Sequence, residues 1–225
     1  MRKLIFASLL LACGTVLVAQ TNFQLHYDFG KDRNFVTTTI ERFKPDTYGS
    51  LFYFIDFNHS ENGPTESYWE IARELKFWDA PFSAHVEYNG GLHHEPAFGF
   101  NIKNAYLLGG TYSLNSSDFS KGISLTAAYK LIQKHSDPHN FQLTAVWFMH
   151  FFNNKLSFTG FADFWREKQS FGINDNASFI FLSEPQLWYN INKIISVGGE
   201  VELGYNFGAV KGFKVCPTLG VKCNL

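Results

Sequence analysis

The chain alternates apolar and polar residues in about a dozen segments of similar length. Apolar side chains occupy every second position in residues 140–151, and the same period recurs in residues 194–207. Successive side chains of a β-strand point to opposite faces, so a period of two predicts strands with one apolar and one polar face. Segments of about ten residues are long enough for a tilted strand to cross a bilayer. The pattern therefore predicts an all-β fold, a single antiparallel transmembrane β-barrel.

The alternation and its interruptions predict about twelve strands. They cover residues 22–30, 35–43, 50–58, 67–77, 82–90, 104–114, 121–131, 140–151, 156–167, 178–190, 194–207 and 212–225. Long links are assigned to the mouth of the barrel, namely 59–64, 91–103, 133–139 and 168–177. Short links are assigned to the opposite end, namely 79–81, 153–155 and 190–193. An even number of strands with long loops at one end and short turns at the other is typical of outer-membrane barrels.

The composition fits a chain that is apolar on alternate positions only. Aromatic residues make up 18% of the 225 residues, yet the mean hydropathy is only −0.12. The rings gather near the ends of the predicted strands, as in the aromatic girdles at bilayer interfaces. A soluble β-sandwich or lipocalin-like barrel shows the same alternation with its apolar face turned inward. The aromatic residues at the strand ends, the alternation of long and short links and an export signal favour the membrane barrel.

The export signal is predicted in residues 1–19, as a signal peptide. Arg2 and Lys3 precede an apolar segment, residues 4–11, that is too short to span a bilayer. Cleavage after Ala19 leaves residues 20–225 as the barrel domain, and a lipobox that ends at Cys13 is the alternative. An exported barrel of this type is expected in a bacterial outer membrane.

The polar face of the predicted strands is acidic, although the whole chain has a net charge of only −1. That balance excludes the basic surface expected of a nucleic-acid-binding protein. An acidic lumen deters anions and tolerates cations or neutral solutes, and aromatic rings in it can stack a planar solute. Alternatively, the polar and charged side chains of this face hydrogen-bond one another in a filled, non-conducting interior. The predicted lumen and solute-binding residues are Asp28, Glu70, Glu87, Phe161, Asp163, Trp165, Glu184, Trp188, Glu200 and Glu202.

The sequence predicts no catalytic residue, metal site or cofactor. The histidines and the glutamate of residues 93–95 lie in a predicted link, where adjacent histidines are usually solvated. No Gly-x-Ser-x-Gly motif occurs. An outer-membrane lipid hydrolase would need a Ser/His pair on the lipid-facing rim, whereas His26, His85 and His150 are all predicted to face inward.

One charged residue departs from the alternation, because Arg73 is predicted to face lipid on the fourth strand. A charge near the middle of the bilayer costs about 2–4 kcal/mol. A bulge, or a side chain that extends toward the short-turn edge, would lower that cost.

Five segments resemble an uncharacterised Bacteroides-type outer-membrane family. They are LHYDFG at 25–30, YWEIARE at 68–74, HVEYNGG at 85–91, GFADFWRE at 160–167 and FLSEPQLWYN at 181–190. That family is itself similar to the nucleoside-specific channel-forming protein Tsx. The resemblance implies a twelve-stranded outer-membrane barrel that passes nucleosides or similar small solutes, and it assigns no individual nucleoside-binding residue.

The leading prediction is therefore a channel for passive uptake of small neutral or cationic solutes, with nucleosides as the specific case. The alternatives are a non-conducting structural barrel and, third, an outer-membrane lipid hydrolase. The expected partners are outer-membrane lipids, the solute and the barrel-assembly machinery. Such barrels commonly end in an aromatic residue, and Leu225 in that place is expected either to alter recognition by that machinery or to reflect sequence drift.

Overall fold

The computed structural model describes residues 20–61, 63–95, 97–172 and 175–225, and the predicted signal peptide lies outside these ranges. Within them, no helix is both long enough and apolar enough to cross a membrane. The described residues form thirteen strands. These are β1 (Gln20–Asp28), β2 (Val36–Asp46), β3 (Gly49–Ser60), β4 (Gly63–Leu75), β5 (Phe82–Glu95), β6 (Phe98–Asn115), β7 (Lys121–Ile132), β8 (His139–Phe151), β9 (Leu156–Gly172), β10 (Asp175–Ser183), β11 (Gln186–Asn190), β12 (Ile195–Tyr205) and β13 (Phe213–Asn224).

Antiparallel pairing closes these strands into a barrel. Each strand from β1 to β9 pairs with the next, and β13 pairs with both β1 and β12. β10 and β11 both lie between β9 and β12, so they occupy a single position in the wall. The barrel therefore has twelve strand positions, as predicted, and closure removes the open edges that would expose backbone groups to lipid.

The predicted strand 178–190 is interrupted in its middle, between Ser183 and Gln186. Pro185 lies in the gap and lacks an N–H group for the ladder. A Cβ atom on Gly160 would lie only 2.6 Å from the carbonyl oxygen of Glu184 and 2.9 Å from Cα of Pro185. Glycine at this position thus allows the interrupted strand to lie against β9.

The strands are longer at the mouth than predicted. β5 and β6 remain paired up to Glu95 and Phe98, and β3 and β4 remain paired up to Ser60 and Gly63. β9 and β10 are likewise paired close to their shared link. The prediction of long loops at 59–64, 91–103 and 168–177 is therefore wrong, because these segments extend the wall as β-hairpins. The mouth end carries the links after β1, β3, β5, β7, β9 and β12, and the opposite end, here the turn end, carries the links after β2, β4, β6, β8 and β11.

The wall has its apolar side chains outside and its polar side chains inside. On β1, Leu25 is 45% exposed, whereas Gln24 and His26 are each 1% exposed. On β8, Leu143 is 49% exposed and Gln142 is 4% exposed. A soluble barrel has the opposite arrangement, so the soluble alternative is wrong. A closed barrel with this polarity is suited to a bacterial outer membrane, in agreement with the predicted location.

Arg73 faces outward as predicted, between Leu51 on β3 and Val86 on β5. Its two terminal nitrogens donate hydrogen bonds of 2.6 and 2.9 Å to the carboxylate of Asp46. Asp46 ends β2, and Arg73 is two residues from the end of β4, so the pair lies at the turn-end rim. A bidentate carboxylate partner near the membrane surface accounts for a charged residue on this face.

We expect Leu143→Arg to destabilise the barrel in lipid vesicles far more than Val146→Arg. The two side chains lie on the same strand and are similarly exposed, at 49% and 47%, but they face lipid and lumen respectively. A charge on the lipid face costs about 2–4 kcal/mol near the midplane, whereas a lumen substitution leaves the lipid contacts intact. Urea unfolding of the refolded variants measures the difference. Equal losses of unfolding free energy would contradict the assigned faces.

Candidate functional site

The strand register turns the predicted site residues on β1, β4, β5, β9, β11 and β12 toward the lumen, and Glu184 lies in the gap between β10 and β11. Solute binding by these residues stays a prediction. Six of the seven predicted carboxylates, together with Asp56, form two groups, and the seventh, Asp28, contacts Arg33. The first acidic group is Glu70, Glu87 and Asp163, and the second acidic group is Asp56, Glu184, Glu200 and Glu202.

The first acidic group spans the lumen. Glu70 on β4 and Glu87 on β5 interact electrostatically with Asp163 on β9. These strands are well separated in the order of the wall, so the carboxylates approach one another across the lumen. Lys130 interacts with all three carboxylates, and its Nζ atom donates a 2.7 Å hydrogen bond to Gln142. One inward lysine thus offsets only part of the charge of these three carboxylates.

The two predicted tryptophans are already covered by lysines. Nζ of Lys130 lies 4.5 Å from the ring centroid of Trp165, which is 7% exposed. Nζ of Lys222 lies 4.2 Å from the ring centroid of Trp188, which is 1% exposed. Cation–π contacts of this kind stabilise the wall and occupy a ring face. Phe161 is therefore the predicted ring with the most accessible surface, because it is only half-buried.

The second acidic group gathers around the interruption of the wall. Glu184 interacts electrostatically with Glu200 and Glu202 on β12 and with Asp56 on β3. Glu200 also accepts a 2.8 Å hydrogen bond from the side-chain amide of Gln186. The gap between β10 and β11 therefore adds a carboxylate to the β12 side of the lumen.

Sequence reasoning missed Arg33, which lies in the link between β1 and β2. Its guanidinium donates hydrogen bonds of 2.8 Å to Asp28 and 2.7 Å to Glu202. Asp32 and Asn34 on either side have φ angles of +62° and +106°. Asp and Asn tolerate this left-handed region, so the Asp-Arg-Asn sequence is the signal of a tight turn that could have drawn attention to Arg33. Arg33 thus ties the link to the lumen wall, in addition to the backbone hydrogen bond from Phe29 N–H to the carbonyl oxygen of Pro217.

Hydrogen-bonded chains of side chains stiffen the wall on both sides of the lumen. The two ring nitrogens of His85 lie 2.6 Å from Glu74 and 3.1 Å from Glu87. The ring nitrogens of His26 lie 2.9 Å from Gln24 and 3.0 Å from Thr218. These contacts satisfy groups that have little access to water, so much of the polar face serves the structure.

A serine and a histidine do meet in the lumen, but not on the lipid-facing rim. Nδ1 of His150 lies 3.0 Å from Oγ of Ser157, which also accepts a 3.0 Å hydrogen bond from the amide of Asn190. In a catalytic triad the third group orients the histidine, whereas Asn190 contacts the serine. Among the described residues, no group of three or more His, Cys, Asp and Glu side chains is placed to hold a metal ion.

We expect Arg33→Ala to loosen the link between β1 and β2. The change removes two charge-assisted hydrogen bonds, so amide hydrogen exchange in residues 29–35 should accelerate about tenfold or more. Lys31→Ala is the matched control, because Lys31 is an exposed cation of the same link. Unchanged exchange in the Arg33 variant, or equal acceleration in both variants, would contradict the attachment.

Solved porins have a similar fold. NanC porin matches with a TM-score of 0.58 and 11% identity, covering 91% of this chain and 100% of that chain. KdgM porin matches with a TM-score of 0.51 and 13% identity, covering 92% of this chain and 99% of that chain. KdgM porin in complex with disordered oligogalacturonate matches with a TM-score of 0.52 and 11% identity, covering 92% of this chain and 99% of that chain. At these identities the similarity concerns the fold alone.

No curated protein matches the chain. The family model of DUF5020, a domain of unknown function, matches residues 19–225, which include the whole barrel. The chain therefore belongs to the DUF5020 family.

Proposed function

We propose that this protein is an outer-membrane channel for the passive movement of small neutral or cationic solutes. The observation that carries the proposal is the excess of carboxylates over cations on the lumen face. The acidic side chains of that face are Asp28, Glu41, Asp56, Glu66, Glu70, Glu74, Glu87, Asp163, Glu167, Glu184, Glu200 and Glu202. The basic ones are Arg33, Lys130, Lys214 and Lys222. An acidic pore attracts cations and repels anions.

Solvent access along part of the lumen supports an open path. Val146 faces the lumen and is 47% exposed. The side chains of Glu200 and Glu74 keep 18% and 22% of their surface exposed. The β1 side is more tightly packed, since Gln24 and His26 are almost fully buried. A path through this lumen would therefore pass the exposed surfaces of Val146, Glu74 and Glu200 and bypass Gln24 and His26.

The acidic lumen disfavours acidic sugars as solutes of this protein. The KdgM porin has been solved with oligogalacturonate, a chain of carboxylate-bearing sugars. Carboxylates in the second acidic group would repel such a polyanion at short range. A neutral or cationic solute avoids this cost, which supports the proposed selectivity.

Nucleosides are the specific solute that we propose, following the resemblance to the relatives of Tsx. Phe161 offers a half-buried ring on the lumen face, two residues from Asp163. A base can stack on such a ring while a nearby carboxylate accepts hydrogen bonds from ribose hydroxyls.

We expect Glu200→Lys to shift the ion selectivity toward anions. The substitution replaces an accessible lumen carboxylate with a cation, so the zero-current potential in a salt gradient across a planar bilayer should move in the anion direction. Glu61→Lys makes the same charge change at an exposed residue of the link after β3 and should shift the potential much less. Equal shifts in the two variants would exclude Glu200 from the conduction path.

The same recordings separate a channel from a structural barrel. A channel gives discrete current steps, whereas the absence of steps at any voltage would overturn the proposed function in favour of the non-conducting alternative.

We expect Phe161→Ala to weaken the block of the current by nucleosides about tenfold. Stacking of a base on an aromatic ring contributes about 1–3 kcal/mol. Phe164→Ala is the matched control, since Phe164 lies on the same strand and faces lipid with 39% exposure. Equal block in wild type and in Phe161→Ala would exclude stacking at this ring, and cation selectivity without any block would exclude nucleosides.

A further inference from the structure

The outer wall carries an apolar groove that the channel function does not use. The groove crosses β3 to β7, and its lining includes outward side chains that belong to the membrane face of the barrel. They are Leu51, Ile71, Arg73, Val86, Tyr88, Tyr106, Leu108, Tyr129 and Leu131. Neighbouring strands lie about 4.8 Å apart, so a groove across five strands extends for roughly 19 Å.

The strand register accounts for the direction of the groove. Leu51, Arg73, Val86, Leu108 and Tyr129 are directly opposite one another on consecutive strands, and they form one row. A parallel row contains Ile71, Tyr88, Tyr106 and Leu131. The groove thus follows the direction of the backbone hydrogen bonds, which is perpendicular to the strands, and the tilt of the strands makes it oblique to the membrane normal.

One end of the groove is basic. Lys44 on β2 is directly opposite Leu51, and Arg42 is two residues away on the same face. Arg73 completes the group, and within the described residues Asp46 is the carboxylate that contacts it. Lys44 also interacts electrostatically with Asp46. Three cations against one carboxylate leave a positive charge at the turn-end rim, next to the apolar groove.

We infer that this groove binds an anionic glycerophospholipid of the leaflet at the turn end. The phosphate and the anionic headgroup contact Arg42, Lys44 and Arg73, and one acyl chain lies in the groove between the two rows. Arginine and lysine side chains at a membrane interface attract anionic lipid, each by about fivefold in affinity. The apolar rows alone would suit any acyl chain, so the basic end provides the preference for an anionic headgroup.

A second copy of this chain fits the groove less well. A symmetric dimer across this face would bring the basic ends of the two copies to the same membrane level, where like charges repel. An anionic lipid instead complements both the charge and the shape. The site lies outside the lumen and does not depend on conduction.

Native mass spectrometry of the detergent-solubilised barrel with phosphatidylglycerol or phosphatidylcholine tests this site. The wild type should retain phosphatidylglycerol more strongly than phosphatidylcholine. Substituting both Arg42→Gln and Lys44→Gln should weaken phosphatidylglycerol binding by about 25-fold, as expected for two interfacial cations. Lys121→Gln is the matched control, because Lys121 is an outward cation at the turn end of β7, away from the groove, and should have no effect.

Two further variants test the two parts of the site separately. Asp46→Asn removes the competing carboxylate and should strengthen phosphatidylglycerol binding. Leu108→Trp fills the groove from a side chain that is 63% exposed and should weaken the binding of both lipids. Equal retention of the two lipids by the wild type would overturn the inference, as would unchanged binding in the Arg42 and Lys44 variant. Conversion of a dimer to a monomer by Leu108→Trp would also overturn it, since the groove would then be a subunit interface.

Discussion

A backbone that enters hydrocarbon has no water to bond, so each N–H and C=O group must find its partner within the protein. The pairing of β1 with β13 meets this requirement by joining the two ends of the sheet. Once the sheet is closed, the alternation of side chains decides which surface meets lipid and which encloses the lumen. Even the interruption at Pro185 respects the constraint, because its carbonyl accepts a hydrogen bond from the N–H of Val201.

Closure also places many carboxylates in a small volume, and the structure offsets part of their charge locally. Arg33 contacts Asp28 and Glu202 at the mouth, and Lys130 lies among the first acidic group. Each of the two inward tryptophans carries a lysine on its face, so these rings stabilise the wall. The carboxylates that remain accessible to solvent then set the sign of the electrostatic potential that a solute meets.

The period of two, together with the aromatic strand ends and the export signal, predicted the membrane barrel and placed the predicted site residues of the strands on its polar face. It could not predict contacts between strands that are two positions apart. Lys130 and Trp165 belong to β7 and β9, and Arg73 and Asp46 belong to β4 and β2. Such contacts depend on the relative register of three strands, which a single sequence does not specify. Arg33 was missed for a related reason, since the direction of a link residue depends on the turn that presents it.

Every part of this structure requires that alternate residues of one strand meet hydrocarbon and water. Spin labels placed singly at positions 141–149 of β8, with Cys216 and Cys223 replaced by serine, test it most directly in bilayers. We predict that accessibility to oxygen peaks at the odd-numbered positions and that accessibility to a polar nickel complex peaks at the even-numbered ones. Oxygen and nickel accessibilities that peak at the same positions would contradict a lipid-facing apolar surface and a water-filled lumen. Oxygen peaks at the even-numbered positions, with nickel peaks at the odd-numbered ones, would contradict them as well.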